Sequence, residues 1–89
     1  MATINFTRHL QRYLDCPSLN VSAGTLREAL SQAFAGNDRL AGYILDDQRR
    51  LRKNVAIFVD GQQIRDRRHL SDRLRPDSEI YILQALSGG

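Results

Sequence analysis

The residues with the clearest chemical potential are Ser87-Gly88-Gly89, close behind the apolar run Ile80-Tyr81-Ile82-Leu83. A closing Gly-Gly presents a carboxylate with no neighbouring side chain on a thin tail. Glycine lacks Cβ, so such a tail takes backbone angles closed to other residues and can be approached from all sides. Its carboxylate can enter a narrow active site and attack the phosphorus of ATP. The expectation is a carrier whose working group is the Gly89 carboxylate, with Gly88 and Ser87 as its flexible approach. The competing reading is a frayed terminus or an expression remnant.

The other reactive residue types lack a chemical setting. Cys16 follows Asp15, whose charge disfavours a thiolate, so a structural or incidental role is expected. His9 and His69 are far apart and show no zinc spacing, so no metal site is expected. Asp60-Gly61 reads as a hairpin turn and not as a phosphate cradle. With no convergent catalytic set, the chain is not expected to be an enzyme.

The chain has 89 residues. That length suits one domain with a small core and leaves no room for a deep cleft between domains. No run is long and apolar enough to span a membrane, and the N-terminus lacks a signal-peptide layout. A single cysteine suits a reducing compartment, so a cytoplasmic protein is expected. The net charge is +3, from thirteen basic and ten acidic residues, and Lys53 is the only lysine. The basic residues are interleaved with Asp, unlike the charged stripe with stacking aromatics of a nucleic-acid binder. The run Arg49–Lys53 reads first as a solvated loop, and otherwise as a docking surface for an acidic partner.

These groups must be positioned by regular elements. Residues 2–7 alternate polar and apolar, predicting a strand with Ile4 and Phe6 inward. Residues 8–16 form a polar connection with Leu10, Tyr13 and Leu14 as packing points. Leu19 and Val21 mark a second strand, antiparallel to the first. Thr25-Leu26-Arg27-Glu28 fits a capping box. Leu26, Ala29, Leu30, Ala33 and Phe34 then form one face of a helix, ended by Gly36-Asn37. A short helical piece follows over 38–43, then a charged connection over 46–54.

Val55–Val59 reads as a buried strand, Asp60-Gly61 as a two-residue turn, and Gln62–Arg65 as the returning strand with Ile64 inward. Leu70 and Leu74 anchor a crossing segment. Pro76-Asp77-Ser78 turns the chain into a last strand, Glu79–Gln84. That strand is apolar on both faces, which suits a central position. One amphipathic helix must then cover one face of one sheet. The fold expected is α+β, a ubiquitin-like β-grasp with a mixed sheet of about five strands and one main helix. The domain covers residues 1–84 and the tail 85–89.

The order of these pieces resembles the small β-grasp sulfur carriers, of the molybdopterin-synthase small-subunit and thiamine sulfur-carrier type. The resemblance rests on Val55-Ala56-Ile57-Phe58-Val59-Asp60-Gly61, Ile64, Leu74, Asp77, Ile80-Tyr81-Ile82 and Gly88-Gly89. The length of the 42–54 segment looks most like the carriers that supply sulfur for cysteine synthesis. Two positions depart from the pattern. Pro76-Asp77-Ser78 stands where Gly-Asp is frequent, and Ser87 stands where Ala often precedes Gly-Gly.

The resemblance implies that an E1-like enzyme uses ATP to adenylate the Gly89 carboxylate. A sulfur donor, a persulfide or sulfide source, then displaces AMP to leave a thiocarboxylate. A sulfur-accepting biosynthetic enzyme consumes it, for cysteine, molybdopterin, thiamine or a related product. The chain itself is then expected to bind no cofactor, the ATP being used by the activating enzyme. If Ile57, Val59, Ile80 and Ile82 face the helix, alternation turns Phe58, Tyr81 and Leu83 outward. Together with Leu86 they are the expected partner contacts. Two rivals remain: a ubiquitin-like modifier joined to lysines, and an interaction or nucleic-acid-binding module with an inert tail.

Overall fold

The structure is a computed structural model, and it describes residues 1–7 and 18–84. Among the described residues, five strands and two helices follow one another as β1 (Ala2–Phe6), β2 (Ser18–Val21), α1 (Leu26–Phe34), α2 (Asp38–Ile44), β3 (Val55–Val59), β4 (Gln62–Gln63) and β5 (Glu79–Gln84). The strands form one mixed sheet in the order β2-β1-β5-β3-β4. β5 lies parallel to β1, and the β1–β2, β3–β4 and β3–β5 pairs are antiparallel.

Helix α1 forms where the 3.6-residue spacing of apolar positions predicts it. Leu26, Ala29, Leu30, Ala33 and Phe34 are all buried against the sheet. Its start is a variant of the expected box. The Thr25 hydroxyl accepts the Glu28 N–H (3.3 Å) and lies 3.1 Å from the Glu28 carboxylate, to which it donates. Two further N–H groups at the helix start are taken by a neighbouring segment: Leu26 donates to the Asp72 carbonyl (2.9 Å) and Arg27 to the Leu70 carbonyl (2.8 Å). The orphan donors of a helix start need such partners. Gly36 follows the helix at φ 74°, an angle open to glycine. The Asn37 side chain then caps α2 by accepting the Leu40 N–H (3.2 Å).

The inner face of the sheet supplies the rest of the core. Ala2, Ile4 and Phe6 of β1, Val55 and Ile57 of β3, and Ile80 and Ile82 of β5 are buried. Val59 is partly buried and packs against them. Asp60 (φ 52°) and Gly61 (φ 85°) make the expected turn with two positive φ angles.

The returning strand differs from expectation. Its ladder covers Gln62–Gln63 and not Gln62–Arg65. Ile64 is still buried and donates its N–H to the Ile57 carbonyl (3.0 Å). Beyond it, the Asp72 carboxylate captures the Arg65 N–H (3.0 Å) and the Asp66 N–H (2.9 Å). These bonds draw the backbone off the sheet. The charged connection is also ordered: the Asp46 carboxylate accepts the N–H groups of Gln48 and Arg50 (each 2.9 Å), and Leu51 turns into the core. Residues 8–17 lie outside the described residues, so the packing expected of Leu10, Tyr13 and Leu14 and the roles of His9 and Cys16 lie there too.

Asp66 organises the segment before Leu70. Its carboxylate accepts the Ser71 hydroxyl and the N–H groups of His69 (2.9 Å), Arg68 (3.2 Å) and Ser71 (3.4 Å). These donors, the Ser71 hydroxyl foremost, hold its carboxyl down to about 2 from the ordinary 3.8. A depressed carboxyl stabilises the fold above the unfolded value, and that contribution fades as pH falls through the folded value. Urea midpoints should therefore drop as pH falls from 3.8 to about 2. An Asp66→Asn chain should be less stable at neutral pH and lose less over that acid window.

Candidate partner-docking face

β5 alternates sharply. Ile80 and Ile82 point into the core, while Tyr81 is 47% exposed and Leu83 38% exposed on the opposite face. The register sets their neighbours: Tyr81 stands opposite Phe58 and Leu83 opposite Ala56 on β3. Asn5 of β1 flanks Tyr81 on the other side. Side chains opposite one another on one face of a sheet are in contact range. The three sequence-predicted residues Phe58, Tyr81 and Leu83 thus form one apolar strip, with Phe58 half-buried. Leu86, Ser87, Gly88 and Gly89 lie outside the described residues.

The outer face is divided along its length. Near the start of β5 it is polar. Thr3 donates its hydroxyl hydrogen to the side-chain amide oxygen Oδ1 of Asn20 (3.1 Å), and the Asn5 side-chain amide donates to the Glu79 carboxylate (3.3 Å). Toward the end of β5 it is apolar. The apolar half is therefore the half that leads into residues 85–89. Exposed aromatic and aliphatic side chains gathered in this way make this half of the face the candidate contact surface.

One cluster fixes the register that turns these side chains outward. The Asp60 carboxylate accepts the Glu79 N–H (3.0 Å) and the Ser78 hydroxyl (2.9 Å), and pairs with the Arg75 guanidinium (3.4 Å). The Asp60 N–H donates to the Glu79 carbonyl (2.8 Å), and the Ser78 hydroxyl oxygen accepts the Arg75 N–H (2.8 Å). The Glu79 N–H foremost, with Ser78 and Arg75, holds the Asp60 carboxyl below its ordinary range. A slip of one residue would send Tyr81 and Leu83 inward and the isoleucines outward.

Sequence reasoning read Asp60 as a turn residue and did not find Ser78. The available signal was a serine in the turn before a strand that must hold one register. Ser78 is the buried polar residue among those described. His69 is exposed, 3.8 Å from the Asp66 carboxylate and away from the apolar strip. Among the described residues, no His, Cys, Asp and Glu cluster could hold a metal ion, and no helix is long and apolar enough to cross a membrane.

A mixed sheet with its first and last strands parallel at the centre, clasping one long helix on one face, is the ubiquitin-like β-grasp. The sequence matches the ThiS family over residues 12–89, and the chain belongs to that family. No curated protein matches its sequence significantly.

Solved structures share the fold at low identity. The BexX/CysO complex of Amycolatopsis orientalis contains a chain 16% identical, with a TM-score of 0.85 and 100% of both chains covered. CysO of Mycobacterium tuberculosis, described as an antigen, is 20% identical with a TM-score of 0.82, covering 97% of this chain and 100% of its own. Small archaeal modifier protein 1 of Methanosarcina acetivorans is 23% identical with a TM-score of 0.81, covering 99% of this chain and 95% of its own.

The register cluster is directly testable. Ser78→Ala removes a buried hydroxyl and leaves the Arg75 N–H without its partner. It is expected to cost about 1–3 kcal/mol in urea unfolding.

Proposed function

We propose that this chain is a sulfur carrier that works through the carboxylate of Gly89. Membership of the ThiS family, across a match that runs to residue 89, carries the reading. The apolar strip of Phe58, Tyr81 and Leu83 supports it, because a carrier must present a surface to the enzymes that handle its tail. Ser87 and Gly88 are the approach to the reacting group, and Leu86 is a further contact.

The chemistry assigns the work to partners. The free carboxylate is ionised at neutral pH and a poor electrophile. An E1-like enzyme with ATP converts it to an acyl adenylate, releasing pyrophosphate. With hydrosulfide as donor, the C–S bond forms as the C–O bond to AMP breaks, leaving a thiocarboxylate. With an enzyme persulfide, the terminal sulfur attacks. A second thiol then cleaves the S–S bond, yielding the thiocarboxylate and a disulfide. A biosynthetic enzyme takes the sulfur, and the carrier is a cosubstrate throughout. Use of ATP and of easily oxidised sulfur fits a cytoplasmic setting.

The likeness to a small archaeal modifier protein favours a second reading, attachment to lysines of other proteins through the same adenylate. Intact mass spectrometry separates the two. The full chain is incubated with ATP, sulfide and extract of its own cells, beside a chain lacking Gly88-Gly89. Exchange of one oxygen for sulfur in the full chain alone is expected. Adducts on other proteins would favour the modifier. No change, with a known E1-like reaction running in the same extract, would overturn both.

Tyr81→Ala combined with Leu83→Ala trims the outer face without touching the core and should cost about 1–2 kcal/mol in urea unfolding, leaving the fold intact. It should lower kcat/KM for adenylation about tenfold or more, as loss of an interface anchor does.

A further inference from the structure

The loops 46–54 and 65–72 meet edge to edge, where the Leu51 N–H donates to the Arg67 carbonyl (3.0 Å). Arg50, Arg52, Lys53, Arg67 and Arg68 line a shallow groove of about 680 Å³ there, with Asp46 as the one acid in its wall. Five cations against one aspartate leave the groove at +4. The whole chain carries +3, so everything outside the groove together carries −1. The positive charge of this protein is thus concentrated in one place.

Part of that charge is built into the backbone frame. Arg67 Nη2 donates to the carbonyls of Arg52 (2.7 Å) and Val55 (2.9 Å), and Arg52 Nε donates to the Gly42 carbonyl (2.8 Å). Arg50 meets Asp46 and Gln48. These guanidinium groups are neutralised by at most one carboxylate. The side chains of Lys53 and Arg68 are exposed and make no hydrogen bond or ion pair among the described residues.

The position of the groove gives the charge a use. A neighbouring depression shares Arg52 and Asn54 with it and reaches Gln84, and Val55 pairs with Gln84 in the sheet. Arg52 and Arg67, at one end of the groove, therefore stand beside the point where β5 ends. Five residues span at most roughly 17 Å when extended. A protein that grips Gly89 within that reach can lay its own surface over these cations.

We propose that the groove is a second docking surface, which receives an acidic strip on the protein that takes up the tail. It is separate from the apolar strip of Phe58, Tyr81 and Leu83, and it rests on the carrier reading. Arginine forks match carboxylates bidentately. No aromatic side chain lines the groove, whereas single-stranded nucleic acids are held by stacking as well as charge. A concentrated charge of this kind steers encounter and fixes orientation, so its effect falls on association and on salt dependence.

The test reverses Lys53 and Arg68 together, Lys53→Glu with Arg68→Glu, because neither supports the backbone frame. Circular dichroism checks the fold, and the milder Lys53→Gln with Arg68→Gln gives an intermediate step. ATP–pyrophosphate exchange by the activating enzyme is followed against salt. The reversed chain should show KM raised tenfold or more at low salt, with kcat kept and the salt dependence flattened. Unchanged KM and salt dependence would overturn the proposal.

A second arm does not depend on carrier chemistry. A labelled oligo-aspartate and a labelled oligothymidine of equal charge are titrated into the full chain. Tighter binding of the peptide, lost on reversal, supports an acidic protein strip. Tighter binding of the oligothymidine, or no effect of reversal, overturns it. If the unmodified chain supports no exchange at all, the carrier reading fails while the peptide arm still decides the groove.

Discussion

β5 is held on three sides. β1 bonds one edge, β3 bonds the other, and the helix layer covers one face. That arrangement leaves a single outlet for every second side chain. Ile80 and Ile82 are wholly buried in the space between sheet and helix, which they share with Ile4, Phe6 and Ile57. Tyr81 and Leu83 are then turned outward by the two-residue period of the strand, whatever their hydrophobicity would prefer. The exposed apolar strip is thus a by-product of how tightly the core holds its middle strand.

Ordering the loops around that strand is largely the work of carboxylates. Asp60 binds the first peptide of β5, Asp72 and Asp66 order the approach to Leu70, and Asp46 orders the loop before β3. A chain this short has little apolar area to bury, so loops cannot all be fixed by packing. Buried or half-buried backbone groups must still find partners. Short acidic side chains supply acceptors next to where they are needed. Arginines supply the complementary donors, as Arg67 does for two carbonyls at the start of β3. The abundance of both residue types therefore reflects loop architecture as well as surface charge.

Periodicity explains why so much was legible from sequence. The five apolar positions of α1, the alternation in β1 and the positive-φ pair Asp60-Gly61 each follow a local rule with a fixed spacing. The central place of β5 was inferred from apolarity on both faces, and the position is right. The two faces are apolar for different reasons, however: one fills the core and the other meets solvent among the described residues. The early end of β4, the burial of Leu51 and the role of Ser78 were not legible. Each depends on a hydrogen bond from a residue distant in sequence or on a loop closing back on itself, and such bonds leave no repeat to read. Phe58, Tyr81 and Leu83 were placed together because register follows from alternation once the strand order is right.

The parallel pairing of β1 with β5 also has a bearing on synthesis. Among the described strands β1 is made before the others and β5 after them, and the pairing joins residues 3 and 79. Contacts so distant in sequence close late and slow folding. A ribosome that stalls before the codons of β5 releases a chain whose first strand lacks a permanent neighbour on one edge. Such a fragment exposes hydrogen-bonding groups that the finished sheet would cover, which makes it adhesive and a target for degradation. The two hairpins β1–β2 and β3–β4 can pair earlier, but joining them into one sheet waits on translation through Gln84.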